Sequence, residues 1–225
     1  SRVQSPQSLR LAVGSDGLWT SDSGLWTDVS RFTFHASRQG CSLFLARYPA
    51  PMRFIGSIIE KLQRHPKRVV FPEGEEPRVL QAARQFHALQ LGAPILLGDP
   101  ARIKTVATDL RVSLEGIRII DPARSEELEN FVRRFISLRR EKGVKAAEAR
   151  DALVQPNHFG AMMLAMRQAD GLVSGASHTT GSVLRPLFQI IKVAPQNTVA
   201  SSCMIMEVED TRLGEDGVLF MADCG

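Results

Sequence analysis

The chain contains 225 residues, of which 44% are hydrophobic and 23% are charged, proportions that are typical of a globular protein. Its formal net charge is +4, from 28 lysines and arginines against 24 aspartates and glutamates. This excess fits an anionic ligand but does not indicate nucleic-acid binding, and no basic cluster with interleaved aromatic residues occurs. No apolar run approaches the roughly 20 residues of a membrane-spanning helix, so the sequence predicts no membrane association.

Cysteine and histidine usage indicates neither a disulfide framework nor a metal centre. The three cysteines, Cys41, Cys203 and Cys224, have unrelated spacings. The five histidines are scattered, and none combines with Asp or Glu at a spacing typical of metal ligands. We therefore expect reduced cysteines, a cytoplasmic location and no bound metal.

Residues 1–51 differ in composition from the rest of the chain. They contain no Lys, Glu or Met, yet they hold both tryptophans and the only tyrosine, and their only repetition is GLWTSDS followed by GLWTDVS. No helical or alternating period runs through them. We interpret them as an extension that is expected to be disordered, with Met52, the first methionine, as the natural start. A processed leader, such as a transit peptide, is the alternative.

From residue 53 the chain alternates between segments with helical periodicity and short apolar runs. The short runs predict strands over residues 68–71, 94–97, 117–120 and 170–174. The periodic segments predict helices over residues 53–62, 77–91, 100–109, 125–140, 145–154, 157–168 and 182–193. Strands separated by helices need crossover connections, so we expect an α/β fold with a mainly parallel sheet and helices on both faces.

Two loops follow the carboxyl ends of predicted strands, where parallel sheets bind their ligands. One is residues 72–75, and the other is residues 175–181 with the sequence GASHTTG, whose small residues let backbone amides approach a ligand closely. The helix after the second loop begins with unpaired N–H groups and carries Arg185, so the stretch is a credible anion site. The alternative is an ordinary strand-to-helix connection with a surface arginine.

The pattern changes after residue 193. Residues 198–208 and 217–222 predict two strands with no helix between them, joined by an acidic turn. This hairpin indicates the start of a second α/β subdomain, and the sequence then stops at a strand exit. We therefore divide the chain into an extension (1–51), an incomplete first domain (52–194) and the truncated beginning of a second domain (195–225).

Three further side chains are candidates for binding or catalysis. Arg78 lies in the first turn of a predicted helix, where a cation is electrostatically unfavourable, which favours a functional role. Arg139 ends a predicted helix, where the helix dipole alone accounts for an arginine. His178 could act as a general base or donate a hydrogen bond. The sequence has no Walker, GxGxxG or GxSxG motif, so the functions tied to those motifs are not indicated.

Several stretches of the sequence, in the same order, resemble the phosphate acetyl/butyryl transferase family. They are FPEGEEPRVLQAA (71–83), LRREKG (138–143), ADGLVSGASHTTGSVLRP (169–186), and SSCMIMEVED with GEDGVLFMADCG (201–225). The resemblance extends from Met52 onward and therefore covers most of the chain. Residues 1–51 have no counterpart in it.

This resemblance implies reversible transfer of an acetyl group between coenzyme A and inorganic phosphate, with acetyl phosphate as the phosphorylated partner. It also implies two α/β domains around a cleft, an isocitrate/isopropylmalate dehydrogenase-like fold and a homodimer. Coenzyme A is a substrate in this chemistry, so the resemblance implies no cofactor and no metal.

The resemblance also implies roles for individual residues. Arg185 is similar to the family's arginine before a proline, which contacts the phosphate or phosphoryl group, and Arg78 and Arg139 resemble arginines that contact anionic parts of coenzyme A or acetyl phosphate. The loop implied to line the same cleft contains Ser177, His178, Thr179 and Thr180. The family's thiol-deprotonating aspartate and its serine-arginine pair come from a part beyond Gly225. We therefore assign no catalytic residue and expect little or no activity from this chain alone.

Two alternatives to acetyl transfer stay open. A phosphate butyryltransferase, or a transferase of another short acyl group, would share these motifs and differ in its acyl pocket. A non-catalytic module that binds coenzyme A or phosphate, like the related regions fused to malic enzymes, is an alternative of another class. A fused malic enzyme would place a large nucleotide-binding domain before Met52, and residues 1–51 do not have that character.

Overall fold

The computed structural model describes residues 12–14, 17–19, 53–193 and 199–222. The strands of the larger sheet are β1 (Ala12–Gly14), β2 (Gly17–Trp19), β3 (Lys67–Phe71), β4 (Gly92–Leu97), β5 (Arg118–Ile120) and β6 (Gly171–Val173). The helices are α1 (Arg53–Arg64), α2 (Pro77–Ala88), α3 (Pro100–Asp109), α4 (Leu128–Leu138), α5 (Ala146–Leu153), α6 (Pro156–Ala165) and α7 (Thr180–Ile190). A smaller sheet contains β7 (Cys203–Glu207) and β8 (Val218–Ala222).

The larger sheet is mainly parallel, as the sequence predicts. Its strand order is β2-β1-β6-β3-β4-β5. Strands β6, β3, β4 and β5 run parallel to one another, whereas β1 is antiparallel to both β2 and β6. The chain therefore builds the sheet outward from β3 to β5 and then returns to add β6 on the other side of β3. The strand order reverses between β3 and β6, which is where such sheets open a crevice for ligands.

Helices cover both faces of this sheet, which confirms the predicted α/β architecture. Val70, Ile95 and Leu97 point to one face and pack with buried residues of α4, α5, α6 and α7. Phe71 and Leu96 point to the other face and pack with α2 and α3. Both faces of β3 and β4 are thus buried, which explains why these strands read as short continuous apolar runs. In the ranges that the structure describes, no helix is long and apolar enough to cross a membrane.

Helix α6 lies close against the sheet at Gly160. A Cβ at this position would be 2.8 Å from Cδ1 of Leu172 and 3.2 Å from Cγ1 of Val70. A residue without a side chain lets the helix approach to this distance. The first turn of α6, which carries Asn157 and His158, is thereby brought beside the carboxyl end of β6.

The helix starts predicted from proline and aspartate are confirmed. Helix α2 begins with Pro77 and α3 with Pro100. The side chain of Asp99 caps α3 by accepting a hydrogen bond from the N–H of Ala101 at 2.9 Å.

The end of α2 differs from the prediction. The helix ends at Ala88, and Gln90 adopts the left-handed conformation (φ 57°) that usually marks a glycine after a helix. Gly92 instead begins β4. A glycine is needed there because a Cβ would collide with the carbonyl oxygen of Lys67 on β3. The sequence signal of Gly92 therefore reflects close strand pairing.

Six residues of segment 1–51 form strands β1 and β2, in contrast to the disorder that we expect for the whole segment. Strand β1 pairs with β6, with Ala12 opposite Val173, and with β2. Each strand has 3 residues, which is too short for an alternating pattern to reveal it in the sequence. The rest of the segment lies outside the described residues, so its interpretation as an extension stays a prediction.

The smaller sheet is the predicted hairpin, in which β7 and β8 pair antiparallel. The carboxylate of Glu207, the last residue of β7, accepts hydrogen bonds from the N–H groups of Phe54 and Ile55, each at 2.9 Å. Helix α1 has no acidic residue in its own first turn, so Glu207 supplies the missing partner for its N-terminus. The domain boundary at 194/195 and the dehydrogenase-like fold both stay predictions.

Candidate anion-binding site at the carboxyl edge of the sheet

The crevice at the carboxyl ends of β3 and β6 brings together the two loops that the sequence singles out. Residues 72–75 leave β3, and residues 174–179 connect β6 to α7. The two strands are parallel neighbours, with Val70 opposite Leu172. Both loops therefore emerge side by side at the point where the strand order reverses.

A buried carboxylate, that of Glu73, joins the two loops. Its Oε2 accepts hydrogen bonds from the N–H groups of Gly175 at 2.8 Å and Ala176 at 2.9 Å. Its Oε1 accepts from the N–H groups of Ser177 at 2.7 Å and His178 at 2.9 Å. The Ser177 hydroxyl donates to the same oxygen at 2.9 Å, and Nδ1 of His178 lies 2.8 Å from it. Four successive amides thus surround one internal anion.

These contacts keep Glu73 ionised despite its burial. Burial alone would raise the pKa of the carboxyl group, but the hydrogen bonds from Ser177, His178, Ala176 and Gly175 outweigh it and lower the pKa to about 2. The amides of residues 175–178 are therefore already occupied by an internal carboxylate. The expectation that they contact a ligand directly needs correction, because Glu73 takes the place of the external anion.

A second polar contact fixes the start of this loop from the side of α6. The hydroxyl of Ser174 donates a hydrogen bond to Oδ1 of Asn157 at 2.9 Å, and the two residues are 2% and 7% exposed, respectively. Buried polar groups are stable only when they are paired, so this contact fixes the first turn of α6 relative to the end of β6.

Arg78 is held at the rim of the same crevice. Its Nε donates to Oε1 of Glu76 at 2.6 Å, and its Nη2 donates to the carbonyl oxygen of Ala176 at 2.8 Å. Glu76 also caps α2 through the N–H of Val79 and so offsets the unfavourable position of the cation. The Arg78 side chain is 49% exposed, which leaves its guanidinium accessible to an anion from solvent.

Two threonines of the predicted loop begin helix α7. Thr179 is the N-cap residue, and its hydroxyl accepts a hydrogen bond from the N–H of Ser182 at 3.4 Å. Thr180 is the first residue of the helix, and both threonines are exposed. The positive end of α7 therefore opens toward solvent directly after His178.

Arg139 and Arg185 both act electrostatically on a histidine that the sequence analysis does not single out, His158. The ring packs edge-on against Phe135 at 6.3 Å between centroids, and its Nε2 lies 3.3 Å from Oε1 of Gln189. Burial lowers the pKa of His158, its hydrogen bond with Gln189 opposes this, and the positive charges of Arg139 and Arg185 lower the pKa further. Burial and both guanidinium groups therefore favour the neutral form of the ring.

The two arginines come from different helices. Arg139 is the C-cap residue of α4 and is half-buried, whereas Arg185 is exposed on α7. Pro186 does not end α7, because the helix continues through it to Ile190. Helices α4 and α7 pack on α6, and the positive charges of both arginines act on His158 in the first turn of that helix.

The structure thus places Arg139 and Arg185 where both act on His158, and it places Arg78 in contact with Ala176, in the loop that carries Ser177 and His178. The sequence analysis does not identify three neighbouring polar residues as candidates: Glu73, Asn157 and His158. Their contacts run between segments far apart in the chain, for example 102 residues between Glu73 and Gly175. The sequence signal that could have identified Glu73 is the position of residues 72–75 directly after a predicted strand. Among the described residues, no group of His, Cys, Asp or Glu side chains could hold a metal ion.

Comparison with known proteins identifies related sequences. Residues 53–225 match a family described as phosphate acetyl/butaryl transferase. The phosphate acetyltransferase of Thermoanaerobacterium thermosaccharolyticum is 42% identical over 173 residues, which are 77% of this chain and 52% of that protein. The phosphate acetyltransferase of Clostridium acetobutylicum is 39% identical over 173 residues, with the same two shares. The chain therefore spans about half the length of these relatives.

Two solved structures are similar in fold. The EutD phosphotransacetylase from Staphylococcus aureus has a TM-score of 0.67 and 33% sequence identity, covering 76% of this chain and 51% of that one. A phosphotransacetylase from Streptococcus pyogenes has a TM-score of 0.69 and 32% identity, covering 76% of this chain and 50% of that one.

Proposed function

The chain belongs to the phosphate acetyl/butaryl transferase family, and from this premise we propose that it takes part in reversible transfer of an acetyl group between coenzyme A and inorganic phosphate. The observation that carries the proposal is that Arg139 and Arg185 both act electrostatically on His158, whose neighbour Asn157 contacts Ser174 at the carboxyl end of β6, where the strand order reverses. Paired guanidinium groups at such a position suit phosphate, because their planar donors match its oxygens.

The chemistry explains why fixed cations are needed. In one direction the sulfur of coenzyme A attacks the carbonyl carbon of acetyl phosphate, a carbon–sulfur bond forms, and the bond from that carbon to the phosphate oxygen breaks. Phosphate leaves with the electron pair of the broken bond and takes up the proton that the thiol gives up. Both reactants carry negative charge, so guanidinium groups reduce their repulsion and stabilise the charge that develops on the leaving phosphate. Holding the reactants together lowers the barrier further.

We assign the groups of this site as follows. Arg139 and Arg185 bind the phosphate or phosphoryl group, and Arg78, at the rim, contacts an anionic part of coenzyme A. The wall between them is lined by Ser177, His178, Thr179 and Thr180. Coenzyme A is a substrate, and the proposal invokes no cofactor and no metal.

The test begins with binding. Calorimetric titration of the chain with inorganic phosphate and with coenzyme A should give saturable binding of both. Arg139→Ala and Arg185→Ala should each weaken phosphate binding about ten-fold or more, since a hydrogen bond to a charged group is lost. Arg140→Ala, which removes the exposed neighbouring cation, should leave phosphate affinity unchanged. Absence of binding of both ligands by the unmodified chain would contradict the proposal.

Turnover then separates transfer from binding alone. Acetyl-CoA formation from coenzyme A and acetyl phosphate, followed by thioester absorbance, would establish the transferase, and a parallel assay with butyryl phosphate would give the acyl preference. Binding without turnover would favour the second candidate, a non-catalytic module for coenzyme A and phosphate. The coverage of about half of each relative is the observation that keeps this candidate open.

Two finer points belong to the same proposal. We infer that the protein pairs with a second copy of itself, as the family resemblance implies, and light scattering coupled to size-exclusion chromatography tests this through the molar mass. We also infer a cytoplasmic location, which the unpatterned cysteines support. Fractionation of the source cells tests it, and recovery in a membrane or secreted fraction would contradict it.

A further inference from the structure

We propose that Glu73 is a positioning residue of this site: its carboxylate holds Nδ1 of His178 and thereby presents Nε2 of the same ring to an oxygen of bound phosphate. This inference rests on the proposed function, since it takes phosphate as the ligand. The two side chains differ in solvent exposure: that of Glu73 is 1% exposed, whereas that of His178 is 40% exposed. One end of the pair is therefore anchored inside the protein and the other is open to solvent.

The ionised state of Glu73 decides which ring nitrogen of His178 carries the proton. The two atoms that face each other are Oε1 of Glu73 and Nδ1 of His178, at 2.8 Å. Because the amides of the loop keep the carboxylate ionised, the proton between these atoms belongs to the ring nitrogen. In the neutral ring, Nδ1 is then the donor and Nε2 carries the free lone pair.

The free nitrogen lies where an anion is favoured. In the described part of the chain Nε2 of His178 makes no hydrogen bond, and the next residue, Thr179, is the N-cap of α7. The positive end of the helix attracts phosphate to this place. A neutral Nε2 can accept a hydrogen bond from the hydroxyl of monohydrogen phosphate, and a protonated ring can donate one to its other oxygens.

The alternative is that Glu73 only orders the loop and that His178 is one more anchor for its carboxylate. The two cases differ in the state of the ring and in the atom that a ligand touches. If Glu73 acts through His178, their effects on phosphate affinity must overlap. If Glu73 only supports the fold, the effects must add.

The first experiment reads the ring directly in the full chain without ligand. Nitrogen-15 NMR of labelled histidine at pH 8 should show His178 with a protonated Nδ1 and an unprotonated Nε2. Glu73→Gln should convert this single tautomer into a mixture. A proton on Nε2 in the unmodified chain would overturn the positioning role, whatever the chain binds.

The second experiment is a titration with inorganic phosphate. His178→Asn keeps an amide nitrogen near the position of Nδ1, and so keeps the anchor to Glu73, but it removes Nε2. We expect about ten-fold weaker phosphate binding, whereas His65→Asn, at an exposed histidine of the chain, should change nothing. Addition of phosphate should also move the Nε2 resonance of the unmodified ring while Nδ1 stays bonded.

The double variant completes the test. Glu73→Gln combined with His178→Asn should bind phosphate no more weakly than His178→Asn alone. Fully additive losses, or unchanged affinity in His178→Asn, would overturn the proposal. A chain that binds no phosphate would contradict the phosphate contact, and a chain that binds neither phosphate nor coenzyme A would contradict the proposed function. In either case the ring tautomer would still decide whether Glu73 positions His178.

Discussion

The carboxylate of Glu207 accepts a hydrogen bond at 2.9 Å from the N–H of Phe54, which lies 153 residues earlier in the chain. This contact fastens the first turn of α1 to the end of β7. An N-terminal turn otherwise leaves its amides without partners, and a carboxylate also interacts favourably with the positive end of the helix.

Glu207→Ala should therefore destabilise the protein by roughly 1–2 kcal/mol, in the range of a lost helix cap. Urea unfolding measures the free energy, and hydrogen exchange should show faster exchange at the amides of Phe54 and Ile55. Glu209→Ala removes an equal charge from an exposed position two residues later and serves as the control. Equal effects of the two variants would mean that the capping contact adds no stability.

The pKa of Glu73 predicts how stability responds to acid. The folded pKa of about 2 lies below the ordinary value of 4.5, so the stabilisation is fully present above pH 4.5 and is lost as the pH falls toward 2. The shift corresponds to about 3 kcal/mol in the free energy of unfolding. Glu73→Gln should be less stable than the unmodified chain at pH 7, and the difference should shrink between pH 5 and pH 2. Urea unfolding at several pH values measures this.

Glu60→Gln is the control for that series. It removes a carboxylate whose side chain is 64% exposed and whose ion pair, within the part of the chain that the structure describes, is with Arg64 on the same helix. Its difference from the unmodified chain should stay small at every pH. A constant difference for Glu73→Gln across the same range would contradict the predicted role of the buried carboxylate.

Two glycines in helices should respond to alanine with opposite signs. At Gly160 the added Cβ would lie 2.8 Å from Cδ1 of the buried Leu172, so the helix must shift or the core must repack, at a cost of about 1–3 kcal/mol. The better helix propensity of alanine offsets up to about 1 kcal/mol of this.

At Gly56 in α1 no atom of the described residues lies within 4 Å of the added atom, so alanine should stabilise the protein by about 0.5–1 kcal/mol. Thermal and urea unfolding of the two variants measure both effects. Stabilisation by Gly160→Ala would show that α6 does not need its close approach to the sheet.

His158 should report on the arginine pair. Burial lowers the pKa of His158 most, and the positive charges of Arg139 and Arg185 lower it further, so Arg139→Ala or Arg185→Ala should raise this pKa toward its ordinary value. NMR titration of the ring measures the change, with Arg140→Ala as the matched control. Inorganic phosphate bound between the arginines should raise the pKa in the same direction. An unchanged pKa of His158 in both variants would show that the two arginines do not act on the ring.

The parts of the fold that rest on local patterns could be predicted from the sequence. Strands such as β3 and β4 are buried on both faces and therefore read as continuous apolar runs, and the helices between them require parallel crossovers. Local signals failed where a contact with another segment decides the outcome. Gly92 looks like a helix end, yet its role is to let β4 approach the carbonyl of Lys67.

The candidate site shows the same division. Arg78, Arg139 and Arg185 stand out as cations in recognisable positions, and the loop before α7 stands out by its small residues. Glu73 does not stand out, because an acidic residue after a strand is ordinary and its partners lie 102 to 105 residues later. Only the strand order, with β6 returning beside β3, shows that this carboxylate meets that loop.

The carboxylate of Glu73 accepts hydrogen bonds from the amides of residues 175–178 in the folded protein without any ligand. The chain segment is therefore immobilised once, when the polypeptide folds, instead of at every encounter with a small molecule. The conformational entropy of these residues is lost on folding and therefore does not weaken ligand binding. The rate of ligand association should be limited by diffusion and electrostatic attraction rather than by closure of a loop.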